Sequence, residues 1–202
     1  MNDFFILINI FCLLFLLFIN VSEWLSKKSK TNDSFQNKLY KLNTCYKAIK
    51  DFSFPVEKKY WGGHLETSID YLIFLDGALL CVKYMSCNGF IYGNEVTKIW
   101  WSVDDKKEKF LNPLEIIYKQ SKEVESCIDV DVKVFPIVIF KDKCNLDYIE
   151  TGKSDVLLLQ ETEFFKYFNR RYHFNPLSKS KKKKLDEQLV GLATQKNSNA
   201  NE

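Results

Sequence analysis

Eighteen consecutive residues without a charge, Phe4 to Val21 (FFILINIFCLLFLLFINV), constrain this chain more than any other feature. Only Asn9 and Asn20 are polar within the run. As a helix it spans roughly 27 Å, close to the bilayer hydrocarbon thickness of about 30 Å. Trp24 comes next, where an interfacial aromatic belongs. A cleaved leader needs a basic start and a small-residue cleavage site. Here Met1-Asn2-Asp3 precedes the run, and no A-x-A pattern comes after it. A buried core helix is the other alternative, but the run has no polar face. The segment reads as a retained membrane anchor over 1–25. Lys27, Lys28 and Lys30 lie directly after it and no Lys or Arg precedes it. The positive-inside rule then expects a single-pass membrane protein with its C-terminal domain in the cytoplasm.

The remaining chain is long enough for one domain. Residues 26–34 are polar and read as a linker, 35–170 as the domain, and 171–202 as a basic, disordered tail. Charge is partitioned along the chain. Residues 31–169 hold 18 basic against 21 acidic side chains, and 170–202 hold 8 against 3. A slightly acidic domain has the wrong sign for strong nonspecific duplex binding. The six cysteines, at 12, 45, 81, 87, 127 and 144, form no C-x-x-C. They indicate neither a zinc site nor a disulfide framework, and scattered thiols fit a reducing compartment.

Apolar spacing from Phe35 to Ile49 predicts a helix. Phe52 to Val56 reads as a short edge strand, where Pro55 is tolerated. The clearest element is Ser68 to Tyr84 (SIDYLIFLDGALLCVKY), two apolar runs flanking Asp76-Gly77. That dipeptide is the strongest short-range hairpin signal. With a two-residue turn, partners sum to 153, so Leu72 faces Cys81 and Asp70 faces Lys83. Both faces are largely apolar, as in a central strand pair covered on each side. A turn leading into a strand is expected over 88–93, strands at 97–103, 132–140 and 155–159, and helices from Asn112-Pro113 to Cys127 and from Thr162. The order indicates α/β with a mixed sheet. Of Trp100-Trp101, one reads as core and one as surface.

Asp70 opposite Lys83 on apolar strands has two readings. One is an ion pair at a sheet rim. The other is a metal-dependent hydrolase site, in which paired carboxylates hold Mg²⁺ and a lysine stabilises developing charge.

The stretch IDYLIFLDGALLCVKYMSCNGFIYG, a Trp, and then NPLEI resembles the NERD (nuclease-related) domain over about residues 36–168. The positions that carry the resemblance are Ile69-Asp70, Gly77, Lys83, Asn88-Gly89, Ile91, Gly93, Trp100 or Trp101, and Asn112-Pro113. It implies an α/β fold similar to PD-(D/E)XK nucleases, a mixed central sheet flanked by helices. It also implies a site of Asp70 and Lys83, with Asp70 as metal ligand and Mg²⁺ as cofactor if the site is active. This chain departs from the family pattern at the chemistry. The glutamate of E-x-K is Cys81, the asparagine after the lysine is Tyr84, the histidine after Asp70 is Tyr71, and the glutamine of N-P-x-x-Q is Ile116. A thiol is a poor substitute for a hard oxygen ligand. Glu66 and Asp76 are the nearest acids in sequence, and both read as solvated.

Three readings stay open at this point. The domain is a degenerate site that acts by binding nucleic acid or protein, with no cofactor. It is a structural partner-binding membrane protein. Or it is an active nuclease with a relocated carboxylate. Candidate binding residues are Asn112 and the run Lys181, Lys182, Lys183 and Lys184, whose cations suit anionic lipid or DNA.

Overall fold

A computed structural model describes residues 35–42, 45–57, 64–152, 154–170 and 175–198. The anchor expected over 1–25 and the linker lie outside the described residues. No helix among the described residues is long and apolar enough to cross a membrane. Two compact units divide at 41/42. The described part of the first holds a short helical segment at 35–39.

The second unit is mixed α/β. Its strands are β1 (Cys45–Glu57), β2 (His64–Leu75), β3 (Ala78–Met85), β4 (Gly89–Asn94), β5 (Ile99–Val103), β6 (Lys107–Leu111), β7 (Lys133–Phe140), β8 (Cys144–Asn145), β9 (Ile149–Glu150) and β10 (Leu157–Gln160). Its helices are α1 (Pro113–Cys127), α2 (Glu161–Arg170) and α3 (Lys179–Ser198). The main sheet runs β1-β2-β3-β7-β10. Its first three strands are antiparallel, and β3, β7 and β10 are parallel. A smaller sheet runs β6-β5-β4-β8, with β9 also pairing β4.

The hairpin forms as the sequence predicts. Leu72 pairs with Cys81 and Leu75 with Ala78, and Gly77 takes the positive φ (94°) that the turn requires. Residues 72–75 and 78–82 are all buried, as strands covered on both faces must be. One face carries Leu72, Phe74, Leu79, Cys81, Val138 and Phe140, packed with Leu114, Ile117 and Val124 of α1 and Leu185 and Leu189 of α3. Removing these side chains from water supplies most of the folding drive, roughly 1.5–3 kcal/mol for each large one.

Two expectations are corrected. The helix over 35–49 gives way after the 35–39 segment, and 45–57 is a strand at the sheet edge. The tail is not disordered throughout. Residues 179–198 are helical, and Leu185 and Leu189, four residues apart, are buried against the sheet. Apolar side chains at i and i+4 share a helix face, so a short stripe suffices to dock a helix whose other positions are rich in lysine.

The residues that make this chain recognisable hold the small sheet together. Gly89 has φ +78°, and a Cβ there would lie 2.2 Å from the Val103 carbonyl oxygen. A Cβ on Gly93 would lie 2.3 Å from the ring of Trp100, which is fully buried and donates from Nε1 to the Asn94 carbonyl at 3.0 Å. Gly93→Ala must therefore displace a buried indole. We expect it to cost about 1–3 kcal/mol, the usual scale of overpacking, read as a lower urea midpoint at unchanged slope.

Candidate functional site

Asp70 sits where β2 leaves β3. Pairing between those strands ends at Tyr71 with Val82, while β2 continues beside β1. The Asp70 carboxylate closes the open end. Oδ1 accepts from Lys83 Nζ at 2.9 Å, and Oδ2 accepts from the Tyr84 backbone N–H at 2.8 Å. That second bond supplies an acceptor for an amide beyond the end of the ladder. Both side chains of the pair are about one quarter exposed, 25% for Asp70 and 27% for Lys83. The pair is at a rim, neither enclosed nor fully solvated.

The position of the family glutamate is enclosed. Cys81 is fully buried, opposite Leu72 on β2 and Pro136 on β7. Burial pushes its thiol well above the usual range, and Glu125 adds to the effect. A neutral thiol in apolar surroundings is an inert filler, since the thiolate is the ligand and nucleophile. Of the other acids considered, Asp76 in the hairpin turn is ion-paired at 2.8 Å with Lys182 of α3. Glu66 is four residues farther out on β2, opposite Pro55.

Two residues of this region, Tyr84 and Glu161, carry no site signal in the sequence. Tyr84 comes one position after Lys83 and therefore projects from the other face of the strand. Its hydroxyl donates to Glu161 Oε2 at 2.8 Å, at the start of α2. Glu161 is buried, and the helix N-terminus it occupies favours a carboxylate. Asp142, just beyond β7, accepts from the backbone N–H (2.8 Å) and hydroxyl (2.6 Å) of Thr162. The C-terminal end of β3 thus carries Lys83, paired with Asp70 of β2, on one side and the Tyr84–Glu161 contact on the other. The only hint of Glu161 in the sequence is its place in the first turn of a helix.

Burial and the Glu161 contact raise the Tyr84 phenol above its ordinary value. A group with a raised folded-state pKa contributes stability that is present below its unfolded value, about 10 for tyrosine, and lost as pH rises past it. We expect wild-type stability to fall above about pH 10, and Tyr84→Phe to flatten that alkaline limb in denaturant melts.

The remaining candidates have structural places. Asn112 is 2% exposed and caps α1. Its Oδ1 accepts from the Leu114 and Glu115 amides, while Nδ2 donates to the carbonyls of Asn94, Glu95 and Thr97. The whole amide is committed to the fold. Lys182 is held by Asp76 and lies over the Tyr46 ring, and Lys183 pairs with Glu187 at 3.7 Å. Lys181 and Lys184 are on the same helix, and both are exposed, as is Lys183. Among the described residues, no three His, Cys, Asp or Glu side chains come together in a group able to hold a metal ion. The Asp70 carboxylate is engaged by Lys83 and by the Tyr84 amide.

Residues 27–141 match the nuclease-related domain family. An uncharacterized protein of Bacillus anthracis is 27% identical over 90 residues, covering 44% of this chain and 42% of that protein. The chain thus aligns with less than half the length of this relative. No solved structure gives a significant match. With more than half of its length under the family match, and with the hairpin, the glycines and the Asn-Pro cap in place, the chain belongs to the nuclease-related domain (NERD) family.

Proposed function

We propose that this protein is a membrane-anchored nuclease-related domain that acts by binding nucleic acid at the cytoplasmic membrane face, with its cleavage site dismantled. The observation that carries the reading is the state of Asp70. Its two oxygens are engaged by Lys83 and the Tyr84 amide, and the position that should supply a second carboxylate is the buried Cys81. One carboxylate already neutralised by a lysine is a weak start for a divalent site, which needs several oxygen donors. The anchor and orientation are supported by the apolar run at 4–21 and the lysines at 27, 28 and 30. The test is to incubate the purified full chain with labelled single- and double-stranded DNA and RNA in Mg²⁺ or Mn²⁺. Retention of intact nucleic acid is the expected result. Cleavage that Asp70→Ala abolishes overturns the reading.

One observation favours a second reading, an active site with a relocated carboxylate. Asp51 lies opposite Asp70 in the β1–β2 register, between the pairs Lys50–Tyr71 and Phe52–Ile69, and has a positive φ of 51°. Non-glycine residues in that conformation are uncommon and concentrate at functional or strained positions. On this reading, Asp51→Asn and Asp70→Asn each remove a measurable Mn²⁺ affinity. Equal, Asp51-independent behaviour of wild type and variant rules it out.

A further inference from the structure

Resting on the nucleic-acid reading above, we propose that the outer face of the small sheet is a stacking platform for single-stranded nucleic acid. Register places the side chains. Phe90 pairs with Val103 and Tyr92 with Trp101 across β4–β5, and Trp101 pairs with Lys109 and Val103 with Lys107 across β5–β6. Cross-strand partners share a face. Ile91, Trp100, Ser102 and Glu108 take the opposite face, where the first three are buried. Tyr148, just before β9, joins the outer face, stacked on Tyr92 at 4.9 Å and edge-on to Phe90 at 5.8 Å.

The aromatic side chains form two rows across the strands, beside a third pair on the same face, the exposed Ile99 and Leu111. One runs Tyr148, Tyr92, Trp101, Lys109, and the other Phe90, Val103, Lys107. Phe90, Tyr92 and Tyr148 are 45%, 38% and 51% exposed, too much for core packing. Each row ends on a lysine, and Lys107 Nζ lies 4.1 Å from the Trp101 ring centroid. Across β4, β5 and β6 these lysines are the charges on this face, because parity turns Glu108 away. Glu150 sits at the far edge, opposite Asn94.

Charge and shape together select the occupant. Aromatic π-faces take up unpaired bases regardless of sequence, and a cation beside them meets the phosphate. A duplex hides its bases and would meet only two lysines on a slightly acidic domain. Strand spacing of about 4.8 Å and same-face spacing of roughly 6.6 Å along a strand set the rings at separations a splayed single strand can track.

The test is fluorescence titration of the full chain with a thymidine homopolymer, a uridine homopolymer and a duplex of equal length, reading tryptophan and tyrosine quenching. Tyr148→Ala, Tyr92→Ala and Lys107→Ala/Lys109→Ala are compared, with circular dichroism as the folding control. Tyr148 lies in a turn, so its variant keeps the fold. Expected is tighter single-strand than duplex binding, weakened roughly 5- to 150-fold by either tyrosine change. The double lysine change should reduce the log–log salt slope by about 0.7 per cation. Single-strand binding untouched by both tyrosine changes overturns the platform and leaves the nucleic-acid reading standing. No binding of either form overturns that reading and the platform together, and a preference for duplex overturns the platform.

Discussion

Cys81→Glu, which restores the family residue in sequence, is expected to destabilise the domain by several kcal/mol instead of restoring a site. The position is fully buried between Leu72 and Pro136. Enclosing a carboxylate costs several kcal/mol even after relaxation, and the extra volume adds overpacking. Total domain stability is typically about 5–15 kcal/mol, so the loss is a large fraction of it. The sign with pH is fixed. Burial raises the introduced glutamate's folded pKa above the unfolded value of about 4.3, so the protonated form is the one the fold tolerates. The deficit against wild type is then smallest below about pH 4 and grows as pH rises from there toward the folded value. Urea melts of wild type, Cys81→Ala and Cys81→Glu at acid and neutral pH measure this. A Cys81→Glu variant as stable as wild type at neutral pH would show that the side chain reaches water or Lys83, and that position 81 remains part of a usable site.

Asn112→Ala is the second large effect, expected at about 3 kcal/mol. Loss of an N-cap costs about 1 kcal/mol. Buried carbonyls left without their donor add roughly 1–3 kcal/mol, and here Asn94, Glu95 and Thr97 all lose the Asn112 amide. Asn112→Ser separates the two parts. It keeps the cap acceptor and is expected to recover only about the 1 kcal/mol belonging to it. Recovery of nearly all the lost stability by serine would mean that the three carbonyl bonds contribute little. The family's Asn-Pro motif in this chain thus acts through the fold, by fastening the β4–β5 turn to α1.

Much of this architecture is legible in the sequence, for local reasons. Asp76-Gly77 fixes the turn, the turn fixes the register, and the register places Asp70 beside Lys83. Pro113 after Asn112 marks the start of α1. Strand β1 is hidden because its register with β2 shifts between Cys45 and Lys47 and Asp51 takes a left-handed φ within it. From Lys47 onward β1 and β2 keep one register, Ile49 with Leu72 and Phe52 with Ile69. A helical period fits the first half as well as a strand period does. Helix α3 is hidden by composition, since lysines at 179 and 181–184 outweigh a stripe of two leucines. Glu161 reaches Tyr84 across 77 residues of chain, a contact no local pattern encodes. The aromatic rows of the small sheet need β4, β5 and β6 in register, and the Trp100-Trp101 pair announces only that one ring is core and the other surface.

We propose Asp70 as a pairing residue in a dismantled site. Calorimetric titration of the full chain with Mn²⁺, wild type against Asp70→Asn, tests that role most directly. A dismantled site gives no binding heat that depends on Asp70. Saturable Mn²⁺ binding that Asp70→Asn abolishes, accompanied by nucleic-acid cleavage lost in the same variant, would contradict it.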